Sequence, residues 1–323
     1  MKNKVITLLA LTGVLSACGG TSAIQSSTAT KEEKTECKVI CPTGAPAVGF
    51  YNHFNDENFE TNSVPSNIVS FLNESSPYDI VVVDTVSGIR AINSGAPYKI
   101  HSSITFGNFF IASTGNDEDG VMDVDDKIVL FGENQTPDLI FHYIYGDKFD
   151  SAIEWVNAVS DAAGCLASGV NVATSSTIDY VFVAQPVLYA TLNNKSAATY
   201  GKASIYKNIQ DEYKAKSNNK SLVQASVFVK NSNKYSYDSY LSDLENDINA
   251  VLANPTLITN KLGGEDENAV KTKYGIAPNV MKTVISQNNG LGLGFKKARD
   301  NKEDINNFLS IFGVGEIKDE IIA

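Results

Sequence analysis

Between residues 79 and 111 the hydrophobic and polar positions fall into blocks that specify local structure. Residues 80–83, Ile-Val-Val-Val, form a short apolar, β-branched run, which predicts a strand buried on both faces. Asp84 and Thr85 follow at once, and either side chain can cap a helix. The predicted helix runs through Ile89, Ala91 and Ile92 and stops at Gly95, a typical C-terminal glycine. Residues 98–104 read as a second strand. Such a strand–helix–strand unit sets its two strands parallel with a right-handed crossover. In open parallel sheets, ligands collect at strand carboxyl ends beside helix N-termini, and Asp84 and Thr85 sit at such a place.

The same reading extends along the chain. Residues 36–41 predict a strand, 42–46 a turn (Pro-Thr-Gly-Ala-Pro), and 47–54 a helix with Pro46 near its first turn. A Gly-containing turn that opens a helix exposes backbone N–H groups to an anion or carbonyl; a tight structural turn explains the motif equally well. A short helix is expected over 66–74. After Thr105-Phe106-Gly107-Asn108 comes an apolar run, 109–112. Gly107 offers the local freedom a hinge needs, and Asn108 carries both a donor and an acceptor, with a plain turn asparagine as the alternative. Residues 127–131 predict a strand, 132–138 a turn, and 139–145 a helix with Pro137 and Asp138 in its first turn. Strands are expected over 153–156, which holds the single tryptophan, Trp155, and 178–184. Helices follow over 160–168, 187–192 and 205–215, the last amphipathic and charged. A strand with a polar start spans 224–230. Apolar residues at helical spacing cover 237–253, then Asn254-Pro255 punctuates, Ala277-Pro278 opens another helix, and 304–312 is the last. The glycine-rich stretch 290–294 reads as a loop.

Composition narrows the function. At 323 residues the chain can hold two lobes with substantial cores. A net charge of -11 speaks against a basic nucleic-acid face. Of the 26 basic residues only Arg90 and Arg299 are arginines, so an arginine fork around an anion is hard to build. The sequence has no Walker motif, dinucleotide fingerprint or Gly-x-Ser-x-Gly elbow. His53, His101 and His142 are scattered, without metal-ligand spacing to one another. No cofactor, metal or catalytic group is expected, and the chain does not read as an enzyme. Residues 116–126 are strongly acidic and resemble a calcium loop through Asp117, Asp119, Gly120 and Asp123. Gly115 stands at the first ligand position and Asp126 at the twelfth, so a solvated acidic turn is preferred, with a weak calcium site left open.

The N-terminus has its own pattern. Lys2 and Lys4 precede an apolar stretch, 5–15, of export-signal length and too short to span a bilayer. Leu15-Ser16-Ala17-Cys18 matches the bacterial lipoprotein processing site, which implies cleavage before Cys18 and lipid on its thiol; an ordinary secretory signal is the alternative. Residues 19–34, rich in Ser, Thr, Gly and Ala, predict a flexible tether. Cys37, Cys41 and Cys165 remain. An odd count argues against a disulfide framework, and Cys37 and Cys41 on one strand would stand roughly 13 Å apart, beyond disulfide reach. All three read as buried or half-buried thiols.

The stretch "YDIVVVDTVSGIRAINSGAPYKIHSSITFGNFFI" resembles the substrate-binding lipoproteins of ABC importers of the nitrate, sulfonate, taurine and thiamine-precursor type. The lipoprotein site, the turn at Thr43-Gly44, "TFGN", "FGENQTP", "DYVFVAQP" and "QASVFVK" extend the resemblance in the same order. It implies an α/β, two-lobed fold of the periplasmic-binding-protein type 2, each lobe a mainly parallel sheet flanked by helices, with two hinge-crossing strands. The implied division is a signal peptide (1–17), a tether (18–35), lobe one (36–111 and 225–323) and lobe two (112–224), with 237–323 packing as helices around lobe one. The resemblance further implies a monomer, anchored by lipid on the extracytoplasmic face, that hands a small molecule to an ABC permease and its ATPase. Its expected ligand contacts are Thr43, Gly44, Asp84, Thr85, Asn108, Thr136, Gln185 and Gln224, with free N–H groups and the Thr136 hydroxyl facing the cleft. A carboxylate at Asp84 disfavours a bare anion and tilts the ligand from sulfonate or nitrate toward a thiamine-precursor-like or other nitrogen-bearing molecule. A surface sensor or adhesin with the same fold is the alternative function. A thiamine-pyrimidine synthase shares the architecture but needs a cysteine-rich iron site and is opposed by the export signal.

Overall fold

The computed structural model describes residues 37–231 and 237–323. The expected export signal, Cys18, the tether and Glu36 lie outside the described residues. The chain runs through β1 (Val39–Pro42), α1 (Ala45–Val48), β2 (Phe59–Asn62), α2 (Pro65–Val69), β3 (Ile80–Asp84), α3 (Thr85–Asn93), β4 (Tyr98–Thr105) and β5 (Phe109–Ser113). Next come β6 (Ile128–Phe131), α4 (Thr136–Tyr145), β7 (Ile153–Val156), α5 (Val159–Ser168), β8 (Val170–Asn171), β9 (Ser176–Thr177), β10 (Tyr180–Ala184) and α6 (Val187–Leu192). Then follow β11 (Ser204–Asn208), α7 (Ile209–Lys216), β12 (Ala225–Lys230), α8 (Tyr237–Ala253), α9 (Thr256–Leu262), α10 (Glu267–Tyr274), α11 (Pro278–Ser286), β13 (Leu293–Lys297) and α12 (Lys302–Ile311).

Two sheets organise these elements. The first has strand order β13-β4-β12-β3-β1-β2 and the second β11-β5-β10-β6-β7. β3 and β4 run the same way, as the opening sequence pattern predicts, but β12 lies between them and pairs antiparallel with both. In the second sheet β5 alone opposes its neighbours, pairing antiparallel with β10 and β11. These reversals follow from the chain path. β5 and β12 are the strands that enter each sheet from the connections between the sheets, 106–108 and 217–224. β1, β3, β4 and β10 end where those connections lie, so a strand arriving from there must run against them. β5 lies wholly in the second sheet, and the chain passes between the sheets at 106–108.

Local sequence explains most elements. Ile80, Val81, Val82 and Val83 are all buried, as a β-branched run flanked on both faces requires. Asp84 caps α3 by accepting the Ser87 N–H at 2.8 Å. One apolar core joins the two sheets, with Val83 and Phe228 from the first and Phe109 and Phe182 from the second. Two further cores lie on the other faces, around Ile248 and Leu293 and around Leu166 and Val181.

Several expectations need correction. The helix expected over 47–54 is the short α1 plus a separate 3₁₀ turn at Tyr51–His53, and that over 66–74 is the shorter α2. The 205–215 segment divides at Asn208, whose side chain accepts the Gln210 N–H at 2.9 Å and starts α7, so its first residues belong to β11, paired with β5. The stretch 237–323 is not wholly helical, and the glycine-rich segment is not only a loop, because β13 begins at Leu293 and pairs with β4. Cys37, Cys41 and Cys165 are buried and form no disulfide among the described residues. Among those residues no helix is long and apolar enough to cross a membrane.

Candidate functional site

A cavity of about 410 Å³ opens between the sheets at their strand ends, a size suited to a small molecule. Pro42 at the end of β1, Asp84 at the end of β3 and Thr105 at the end of β4 line it, together with Gln224 and Ala225 where β12 begins. The second sheet contributes Ala184 at the end of β10, Gln185, Pro186 and Val187 behind it, and Val159 at the start of α5. Asn108, in the first connection, lies between the two sets.

Backbone hydrogen bonds hold the lining in place. Asn108 and Gln185 are clamped together: the Gln185 N–H donates to the Asn108 carbonyl and the Asn108 Nδ2 donates to the Gln185 carbonyl, both at 2.9 Å. The Gln224 N–H donates to the Thr105 carbonyl at 2.9 Å, so the outgoing and returning connections are tied edge to edge. Gly44 adopts φ 97°, a conformation that favours glycine, and this turns the chain from β1 into α1.

Six of the eight residues singled out in the sequence line the cavity: Thr43, Gly44, Asp84, Asn108, Gln185 and Gln224. Thr85 does not. It is fully buried, and its hydroxyl is 2.8 Å from the Ser226 hydroxyl, which is 3.2 Å from that of Ser103. The first residue of α3 turns inward while its cap, Asp84, faces the gap. Thr136 is half-buried and also absent from the lining. α4 packs into the core shared by the two sheets through Ile140 and Phe141, whereas α5 covers the opposite face through Ala162 and Leu166. The second lobe therefore presents the starts of α5 and α6 to the cavity, not the start of α4.

The expectation of free amides in the first turn needs revision at Thr43 and Gly44, though not at Ala45. The Thr43 N–H donates to Asn62 at 3.1 Å and the Gly44 N–H to Tyr274 at 2.8 Å. The Gln185 side chain is engaged too, its Oε1 accepting the Tyr189 N–H at 3.0 Å. Unengaged polar atoms lie elsewhere in the lining. Thr105 Oγ1, Asn108 Oδ1 and Gln224 Oε1 are buried with no hydrogen-bond partner among the described residues. A buried polar atom left unpaired costs about 1–3 kcal/mol, and three of them belong to residues around this one cavity. Thr105 was not singled out as a ligand contact although it opens the "TFGN" motif; a threonine at a strand end carries no signal of its own.

The other candidate chemistry falls away from this cavity. No histidine lines it. His53 pairs with Asp56 at 3.1 Å, and His142 bridges Asp138 and Asp150. In the acidic segment, carboxylates serve their own loop: Asp117 accepts the Tyr180 hydroxyl, Asp119 the Val121 N–H, Asp123 the Asp125 N–H, and Asp126 the Asp123 N–H. The Tyr180 hydroxyl holds the Asp117 carboxyl below its ordinary value, while burial raises that of Asp126. Among the described residues no group of three or more His, Cys, Asp or Glu side chains could hold a metal.

No family model matches the sequence, and no curated protein does. Solved structures match over most of the chain. An ABC transporter structure from Parabacteroides distasonis shares 15% identity, with a TM-score of 0.65 over 86% of this chain and 91% of that one. The periplasmic aliphatic sulphonate binding protein of Escherichia coli shares 11% identity, with a TM-score of 0.52 over 86% of this chain and 89% of that one. The zinc-bound ligand binding component of an ABC-type import system from Staphylococcus aureus shares 8%, with a TM-score of 0.52 over 89% of this chain and 95% of that one. Two mixed sheets flanked by helices, joined by two crossings and matched by these structures, give the chain the type 2 periplasmic-binding-protein fold of ABC-transporter substrate-binding proteins.

Proposed function

We propose that the protein is the solute-binding component of an ABC-type importer, capturing a small polar molecule between its two lobes and delivering it to a permease. The observation that carries this reading is the inter-sheet cavity, whose lining residues Thr105, Asn108 and Gln224 each hold a buried polar atom without a partner among the described residues. Strand ends from both lobes contribute to one wall, so a ligand that bridges Asp84, Gln224 and Asn108 to Gln185 makes its full set of contacts only when the lobes are close. Closure is then a population shift driven by those contacts. The fold shared with transport proteins supports the same reading. The cavity-lining residues Thr43, Gly44, Asp84, Asn108, Gln185 and Gln224 are the proposed ligand contacts, and no reaction is proposed. Leu15-Ser16-Ala17-Cys18 supports a lipid anchor on Cys18 and an extracytoplasmic place beside the permease and its ATPase, with the protein acting as a monomer.

A thermal-shift screen of small polar solutes tests capture. A ligand present at 100 times its Kd stabilises the folded state by about 2.7 kcal/mol, which raises Tm by several degrees. Failure of every solute to move Tm, including an extract of the growth medium, would remove the capture reading and leave a fold serving as sensor or adhesin.

A further inference from the structure

The lining has an uneven balance of donors and acceptors, and that balance bears on the ligand's charge. Among the described residues no Lys, Arg or His lines the cavity, and Asp84 places a carboxylate there. An anion would have to be held by backbone N–H groups without help from any cationic side chain; those of Thr43, Gly44, Gln185 and Gln224 already donate within the protein, which leaves those of Ala45, Asn108 and Val187, beside the Asp84 carboxylate. Pro42, Pro46 and Pro186 have no N–H to offer. Among the side-chain acceptors, Asp84 Oδ1 takes the Ser87 N–H and Gln185 Oε1 the Tyr189 N–H, while two others are unspent. Asn108 is fixed in orientation because its Nδ2 donates to the Gln185 carbonyl, a contact its oxygen cannot make. Its buried Oδ1 is therefore left as an acceptor without a partner, and Gln224 Oε1 adds another.

We propose that Asp84 is the specificity-determining residue of this cavity, selecting an uncharged or cationic molecule that offers N–H donors and excluding sulfonate, phosphonate and nitrate anions. The inference rests on the capture reading and deepens it. Asp84 repels an anion and attracts an ammonium or amidinium. Asn108 Oδ1 and Gln224 Oε1 accept the ligand's N–H groups, and the Thr105 hydroxyl adapts to either role. Val159, Ala184 and Val187 give the ligand's carbon skeleton an apolar wall.

The test holds the carbon skeleton constant and changes only the polar group. Benzylamine, benzamidine, benzoate and benzenesulfonate, each at millimolar concentration, are compared by thermal shift and calorimetry on the wild-type protein and on Asp84→Asn. Asparagine caps a helix about as well as aspartate, so the variant removes the charge and keeps the start of α3; an unchanged Tm without ligand verifies this. The expected result is that the amine and amidine raise Tm and the two anions do not. In Asp84→Asn the affinity for benzamidine should fall at least tenfold, with the discrimination against benzenesulfonate reduced. If the anions bind the wild type and the bases do not, or if Asp84→Asn binds benzamidine as tightly as the wild type, Asp84 does not select and the inference falls while capture stands. Silence of all four probes removes the inference, while capture is decided separately by the solute screen.

Discussion

The loop before β13 makes an unusually close approach to the first connection between the lobes, and that contact can be tested by adding one methyl group. Gly292 sits at φ +61°, and a Cβ built on it would lie 2.1 Å from the Gly107 carbonyl oxygen and 2.7 Å from its carbon. The Phe106 N–H donates to the Gly292 carbonyl at 2.7 Å, so the two backbones are already locked together and the obstruction is main chain. Replacing Gly292 by alanine incurs about 1–2 kcal/mol for an L-residue in the left-handed region. It regains about 0.4–1 kcal/mol from a stiffer unfolded chain. Forcing the two backbones apart adds about 1–3 kcal/mol of overpacking, and a weakened hydrogen bond adds about 0.5–1.5 kcal/mol. The sum is roughly 1.5–6 kcal/mol, built from those terms. Gly313 is the control: it has φ +63° and nothing within 4 Å of its Cβ position. Gly313→Ala carries only the two conformational terms, roughly 0–1.6 kcal/mol. Urea unfolding of both variants, compared at equal m-value, gives the difference directly. Equal destabilisation of the two would refute the close-approach argument, because they share the backbone angle and differ only in the obstruction.

Burial, with a smaller contribution from Lys297, lowers the His101 pKa to about 4, against an opposing pull from Asp238. The unfolded chain therefore binds a proton that the folded one refuses between about pH 6.5 and 4. Stability should fall as pH drops through that window, by about 3 kcal/mol in full, and His101→Gln should flatten the pH dependence of the urea midpoint there; an unchanged slope would count against it. Thr85→Val removes one member of the buried hydroxyl chain with Ser226 and Ser103 and should cost about 1–3 kcal/mol in stability without changing ligand affinity. A tenfold loss of affinity in a folded Thr85→Val protein would return Thr85 to the site. Cys41 is fully buried, and burial pushes its thiol well above the ordinary value. Iodoacetamide should leave Cys41 unmodified in the native protein and label it in urea, as read by peptide mass; rapid native labelling would contradict the packing.

What the sequence revealed, and what it withheld, divides along the reach of the interactions. The start of α3 was legible because strand end, cap and helix are contiguous: Asp84 closes an apolar run and accepts the Ser87 N–H three residues on. The next residue was not, because Asp84 and Thr85 are equally good caps by type, and only the neighbouring strand's Ser226, 141 residues away, decides that the threonine turns inward. Thr136 failed for a related reason. A polar βα turn is visible in sequence, but the face of the sheet its helix will cover is set by the crossover, and α4 goes to the face away from α5. β13 was hidden because Gly292 and Gly294 weaken a strand pattern, while its ladder is supplied by β4, nearly two hundred residues earlier in the chain (Leu293 opposite Thr105). The site shows the same division at the level of single atoms. That Asn108 carries a donor and an acceptor can be read from its name. That the donor is spent on the Gln185 carbonyl, leaving the acceptor for a ligand, depends on a contact across 77 residues. The polarity of the cavity is thus partly a tertiary property: Asp84 brings its carboxylate by type, but which of the neutral groups around it remain for a ligand is decided by the contacts of the fold.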